Sequence, residues 1–374
     1  MGKAKGATLE GTKRYAERFG TRTARGHFRQ QQQFCMSTIG LGTYLGHWDE
    51  RTDKMYCEAV KRAIELGSNV FDSAINYRFQ RSERAIGLAL KQLFDAGKAR
   101  RDEIIVATKG GFLPFENEPP RDPRSWLLDN IINKGVAQPQ DIVASSHCMT
   151  PGYLDDQLAH SLENLGLNTI DIYYIHNPET QLGAVSREEF NRRLRAAFEF
   201  LERAVADGRI QLYGTATWNG YRQPPTARDY LSLSDVVTIA REVAGEDHHF
   251  RVIQLPYNLA MPEALTEANQ VVDGDQQPLS TLMAADRLGI TVMCSASILQ
   301  SKLTQNLPPF VREALEGLST DAQRAIQFVR STPGVTTALI GMSQRSHVEE
   351  NLSVAKVPPA SVEDFFKMFS SDES

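Results

Sequence analysis

The chain has 374 residues, 41% apolar and 23% charged, the mix of a soluble globular enzyme large enough for one barrel or two domains. Its net charge of −5 offers no general attraction to nucleic acid or an anionic membrane, and no apolar run approaches the roughly 18–20 residues that span a bilayer. Four cysteines, far apart and without a CxxC pair, suggest neither a zinc site nor a disulfide framework and fit a reducing cytoplasm.

Residues 1–35 come first as a basic segment. Eight Lys/Arg against Glu10 and Glu17 give residues 1–29 a charge of about +6, leaving about −11 on the rest. No serine precedes Ser37 and no continuous apolar stretch exists, so neither a transit peptide nor a secretory signal is indicated. A mobile arm is the expectation. Gln30 to Gln33 read as a turn or strand edge near a barrel floor.

From residue 38 the sequence alternates. Short runs rich in Val, Ile and Tyr lie at 38–43, 69–72, 103–108, 170–176, 210–215, 251–256, 290–295 and 337–342, and predict buried parallel strands. Helical spacing fills 52–67, 81–97, 153–166, 187–208, 233–245, 278–289, 320–332 and 346–357, and Gly67 is placed to cap the first of these. Eight strand-then-helix units predict an α/β fold, a single-domain (β/α)8 TIM barrel over residues 36–374. A dinucleotide-binding sheet is rejected: GLGTYLG at 40–46 is one residue too long for its glycine motif, and Asp72 lies too far on to be the ribose acid.

Residues 112–152 form an insert far longer than an ordinary βα loop. It is Pro-rich and carries Phe112, Phe115 and Trp126. Further long connections run through 217–230, 259–277 and 297–310. All follow strand ends, where this fold builds its sites, and are expected to wall the mouth. Tyr44, Trp126, Trp218 and Tyr221 are candidates for a substrate pocket, though they can equally pack the loops. The neighbours His248 and His249 point apart in either regular structure, so no metal site is expected.

Three ionisable residues close three successive strands: Asp72, Lys109 and His176, with Tyr77 on the loop beside them. Any one alone reads as a cap or a structural residue; together on one rim they make a candidate site. A phenol near pKa 10 is a poor proton donor at neutrality. A lysine cation ~4 Å away, at an effective dielectric of about 20, favours the phenolate by roughly 4 kcal/mol. Asp72 would hold that lysine and His176 would orient a substrate oxygen, giving a tuned general acid for an oxygen becoming an alkoxide.

FDSAINY, ATKGG and IYYIH resemble the tetrad motifs of the aldo-keto reductase family, and the likeness runs over about residues 36–355 through SERAIGLAL, SLENLGLNTIDIYYIH and IGMSQRSHVEEN. The resemblance implies an NADP-dependent reductase, with NAD possible, acting on a small-molecule aldehyde or ketone or on the matching alcohol or sugar. It implies hydride transfer from nicotinamide C4, with Tyr77 as general acid whose pKa Lys109 and Asp72 lower. It places Gln254 on the carboxamide, Tyr257 against the nicotinamide ring and Ser295 near the pyrophosphate. It sets Gly341, Ser343, Arg345, Glu350 and Asn351 around the adenosine half. Two departures stand out. GTATWNG puts Ala216 and Thr217 where the family shows Ser-Asn, leaving Thr217, Trp218 or Asn219 to hold the carboxamide. Gln344 and Ser346 stand where a lysine often marks NADPH preference. Rival readings are a cofactor-binding regulatory subunit, as in the potassium-channel β-subunits that resemble this fold, and a Schiff-base aldolase on Lys109.

Overall fold

The computed structural model describes residues 6–315 and 317–369. The segment expected to be a mobile arm is folded wherever it is described, from Gly6 onward. Helix α1 (Leu9–Phe19) starts at Thr8, whose side chain accepts the Gly11 N–H, and it buries Tyr15 and Phe19. Arg14 bonds Asp102 at 2.8 Å and Arg18 bonds Glu103 at 3.1 Å, so part of the basic charge counted in the sequence is paired against the short 3-10 turn Arg101–Glu103. Strands β1 (Phe28–Gln31) and β2 (Phe34–Ser37) pair antiparallel around the Gln32 turn, and Gln32 Nε2 donates to Gly289 O at 2.9 Å. The Gln run is therefore the hairpin tip at the barrel floor, as its sequence suggested.

Above this floor, eight parallel strands close into a barrel: β3 (Ile39–Gly42), β4 (Val70–Asp72), β5 (Ile105–Gly110), β6 (Ile170–His176), β7 (Ile210–Ala216), β8 (Phe250–Pro256), β9 (Thr291–Ser295) and β10 (Val335–Gly341), with β10 returning to β3. The predicted strands all form. Around them run α2 (Glu50–Glu65), α3 (Arg81–Asp95), α4 (Pro151–Leu165), α5 (Arg187–Ala206), α6 (Leu233–Ala244), α7 (Thr281–Arg287), α8 (Asp321–Ser331) and α9 (Arg345–Leu352). The first shows why: Asp49 accepts the Thr52 N–H at 2.8 Å as an N-cap, and one face buries Tyr56, Val60, Ala63 and Ile64. Burying Val60 and Ile64 contributes about 1.5–3 kcal/mol each, and Ala63 less.

Strand alternation separates two cores. Val70, Ile105, Ala107, Ile172, Tyr174, Leu212 and Val252 fill the lumen above a plug of Phe34 and Met36, while Phe71, Val106, Tyr173, Ile175, Ile253 and Leu255 face the helices. Asp72, Lys109, His176 and Gln254 continue the lumen-facing lanes at the C-terminal ends of their strands. The insert has a small core of its own, with Leu113, Ile131, Ala137, Cys148 and Tyr153 packed against Phe115 and Trp126. All four cysteines are buried and unbridged. Among the described residues no helix is long and apolar enough to cross a membrane.

Candidate active site

Because the lumen-facing lanes end together, the four chemistry-bearing residues converge. Lys109 Nζ donates to Asp72 Oδ2 at 2.7 Å and to the Ser73 carbonyl at 2.7 Å, and lies 5.0 Å from the Tyr77 ring centroid. Tyr77 meets His176 edge-on at 5.7 Å and Tyr44 at 5.0 Å. Gln254 Nε2 donates to the other Asp72 oxygen at 2.7 Å.

The electrostatics differ from the sequence expectation in one respect. Burial pushes the Tyr77 phenol well above its ordinary value, and Asp72 and Tyr44 add to the rise. The expected lowering by Lys109 does not prevail: desolvation dominates, and Asp72, bonded to Lys109 at 2.7 Å, adds its own negative charge beside the phenol. Burial likewise pulls the Lys109 ammonium down against Asp72, which holds it up. His176 is driven well below the ordinary histidine value, first by burial and then by Lys109 and His147, so its imidazole is neutral.

A cavity of about 560 Å³ opens over this group. Of the sequence candidates, Tyr44, Asp72, Tyr77, His176, Thr217, Trp218, Gln254, Ser295 and Gly341 line it. Lys109 lies just behind, fully buried. Two of the residues lining it, Thr217 and Asn76, have a hydroxyl and a side-chain amide oxygen that are buried without a hydrogen-bond partner among the described residues. The loop bearing Thr217 and Trp218 is held from behind by Glu179, whose Oε1 accepts the N–H groups of Trp218 (2.7 Å), Asn219 (3.0 Å) and Gly220 (3.3 Å).

Other candidates are placed elsewhere. Tyr257 does not reach the cavity: it is buried on the outer face of β8, stacked on Phe328 at 5.7 Å with its hydroxyl 3.1 Å from Thr332 Oγ1. Three residues beyond the inward Gln254, alternation turns it to the helix layer. Tyr221 is buried behind β7, its hydroxyl 2.7 Å from Thr215 Oγ1. Trp126 packs edge-on against Phe115 at 4.8 Å and borders a second cavity of about 670 Å³. Asn219 is engaged with Asp229 at 2.9 Å rather than with the cavity. Beyond the end of β10, Ser343 and Arg345 stand apart from the cavity lining, and Arg345 bonds Glu349 at 3.1 Å. Glu350 accepts from Thr320 Oγ1 at 2.8 Å, which ties α9 to the start of α8, and Asn351 is buried.

Of the loops expected to wall the mouth, 217–230 and 297–310 contribute Thr217, Trp218, Ser297, Ile298 and Gln300; the insert contributes Phe112, and 259–277 nothing. Sequence reading missed Leu45, Asn76, Asn177, Ile298 and Gln300. Asn76 was within reach, since it directly precedes Tyr77; the others carry no chemical signature.

Comparison with known proteins places the fold and the family. The aldo/keto reductase family model matches residues 38–307. A D-threo-aldose 1-dehydrogenase of a Pseudomonas species is 30% identical over 155 residues, a match spanning 41% of each chain, so it covers well under half of that relative. An uncharacterized oxidoreductase of Bacillus subtilis, YqkF, is 24% identical over 327 residues, 86% of this chain and 87% of the other. An aldo/keto reductase of Klebsiella pneumoniae, crystallised with NADP and acetate, shares the fold with a TM-score of 0.59 at 18% identity, covering 92% of this chain and 94% of that one. The chain belongs to the aldo/keto reductase family.

Proposed function

We propose that the chain is an NAD(P)H-dependent reductase of aldehydes or ketones, able to oxidise the matching alcohol or sugar in reverse, with Tyr77 as the general acid. The observation that carries this reading is the meeting of Tyr77, His176 and the Lys109–Asp72 pair at the base of one cavity. When bound, the nicotinamide supplies the hydride that the carbonyl carbon accepts. The chain's own residues do the rest.

A high Tyr77 pKa keeps the phenol protonated across the neutral range, so a proton is always held at its oxygen for transfer. Neutral His176 can donate one hydrogen bond to the substrate oxygen and add no charge that would compete for the proton. Lys109, held by Asp72 and the Ser73 carbonyl, supplies the cation nearest the phenol as charge develops. The same two bonds, and its burial behind the cavity wall, argue against an aldolase in which Lys109 is the nucleophile.

The residues suit a nicotinamide. The orphan Thr217 hydroxyl and the Gln254 amide offer partners for a carboxamide. Ser295 and Gly341 border the path towards the end of β10, and Ser343, Arg345, Glu350 and Asn351 remain the candidates for the adenosine half. Arg345 would have to share its hold on Glu349 to meet a phosphate. NADP is the favoured cofactor, with NAD possible, and four buried thiols suit a cytoplasmic setting.

A screen of NADPH and NADH against aldehydes, ketones, quinones and sugars tests the reading. Oxidation of one cofactor by at least one carbonyl class is expected. No turnover with any, together with no quenching of nicotinamide fluorescence on mixing, would remove it.

A further inference from the structure

We propose that His147, carried back beneath the mouth by the 112–152 insert, is a positioning residue for His176. The inference rests on the reading of His176 as the group that orients the substrate oxygen, and adds a residue that acts on it from behind.

His176 ends β6, and the chain then turns sharply: Asn177 takes a left-handed φ of 46° and gives its N–H to Ala216 O at 2.6 Å. The turn leaves the His176 carbonyl buried and needing a partner. His147 Nε2 stands 2.7 Å from that oxygen. The His176 side chain has no corresponding restraint within the chain, because its Nδ1 is buried without a partner among the described residues. Its ring is set by the backbone it hangs from and by the edges of Tyr77 (5.7 Å) and Phe112 (5.0 Å).

The protonation pattern is fixed by a chain of donors. Arg193 Nη1 donates to Gln181 Oε1 at 2.7 Å, which turns the amide nitrogen of Gln181 towards His147 Nδ1 at 2.8 Å. An amide nitrogen only donates, so Nδ1 accepts and the ring hydrogen sits on Nε2, facing the His176 carbonyl. Arg193 is itself held by Glu189 at 2.7 Å on α5. Space is cleared by Gly111, at φ 141°: a Cβ there would lie 2.8 Å from His147 Nε2 and 3.0 Å from the His176 oxygen.

The insert is closed on itself from the backbone: Leu113 N donates to Ser146 O at 2.9 Å, Cys148 N to Gly111 O at 2.9 Å and Val143 N to His147 O at 2.8 Å. The His147 imidazole adds the contact that crosses from the insert to the end of β6.

Full-length wild type, His147→Phe and His147→Gln test this with NADPH, an uncharged aromatic aldehyde and 15N-histidine NMR. Phe keeps a ring without a donor; Gln can restore an N–H at similar reach. His147→Phe should lose about tenfold or more in kcat, since small misplacements of a reacting group are costly. Its KM for NADPH should stay within about twofold, and the primary isotope effect from 4-deuterated NADPH should rise. His147→Gln should recover most of kcat. In the free protein, wild type should show a buried neutral Nε2–H signal from His147, beside that of His27, whose Nε2 faces the Gly67 carbonyl at 3.0 Å. The His147 signal should be lost in His147→Phe, and the His176 signals should move in that variant. Parental kcat and unmoved His176 signals in His147→Phe would overturn the proposal. So would a Gln variant that loses as much rate as the Phe variant with the same drop in melting temperature. Should wild type reduce no aldehyde, the functional reading falls, and the His176 signals alone decide the positioning role.

Discussion

Two cavities of similar size, about 560 Å³ over the barrel mouth and about 670 Å³ between α3, α4 and the insert, are built in opposite ways. At the mouth, polar groups are left wanting: the Thr217 hydroxyl, the Asn76 oxygen and His176 Nδ1 are buried without partners among the described residues. In the second cavity the charges answer one another. Arg84 bonds Glu116 at 2.6 Å and Asn164 at 2.9 Å, Lys134 bonds Asn130 at 3.2 Å, and His160 meets Asp156 at 3.4 Å. Volume does not tell the two apart; unmet hydrogen-bonding capacity does, because leaving a buried polar group unpaired costs about 1–3 kcal/mol unless a ligand satisfies it.

The sharpest way to break this contrast is at the mouth's reacting groups. Tyr77→Phe and Lys109→Met should each lower kcat by roughly 10²–10⁴, the range of positioned acid–base catalysis, with cofactor binding by fluorescence quenching largely intact. A Tyr77→Phe variant at parental speed would sink the assignment.

Next in size is a difference in the sign of pH dependence. Burial holds His147 near pKa 4 against an ordinary 6.5, so its contribution is complete above about pH 6.5 and is lost as pH falls towards 4, where the unfolded chain takes up the proton first. The full difference is on the order of 3 kcal/mol. His160 in the second cavity goes the other way: Asp156 raises its pKa, so its small, half-exposed contribution is present at low pH and fades as pH rises through its own range. Urea midpoints at pH 7 and pH 5 should fall further for wild type than for His147→Gln, and equal falls would contradict the assignment.

Smaller still, Thr217→Val should raise the KM for the cofactor by about two- to tenfold, one net hydrogen bond, with kcat nearly unchanged. Trp126→Ala should leave both kinetic constants within about twofold and lower only the melting temperature, since Trp126 packs the insert core. A change in substrate preference on that substitution would reopen the second cavity as part of the mouth.

Most of the barrel was legible in the sequence because each buried parallel strand is a short apolar run and Gly closes several of the helices. The four residues that meet under the mouth cavity were legible for the same reason: a charged or polar side chain at the end of an apolar run is conspicuous. Residue type does not say which way a side chain points, and Tyr257, Tyr221 and Trp126 were misplaced on that account. For Tyr257 the parity of the strand held the answer, since an odd step from Gln254 lands on the opposite face. Tyr221 sits on an irregular loop, and Trp126 on a helix of only five residues, Pro123–Leu127, too short to show a period. The folded N-terminus was hidden differently: its arginines look like a solvated tail until Asp102 and Glu103, nearly ninety residues on, come to meet them.

The four unbridged thiols, each tucked inside the fold, have a practical outcome. A reporter thiol placed by Trp218→Cys at the rim, or by Trp126→Cys on the insert, would be the first that a water-soluble maleimide meets. One fluorophore could then watch the entrance during turnover while its twin, on the other hollow, served as the silent control.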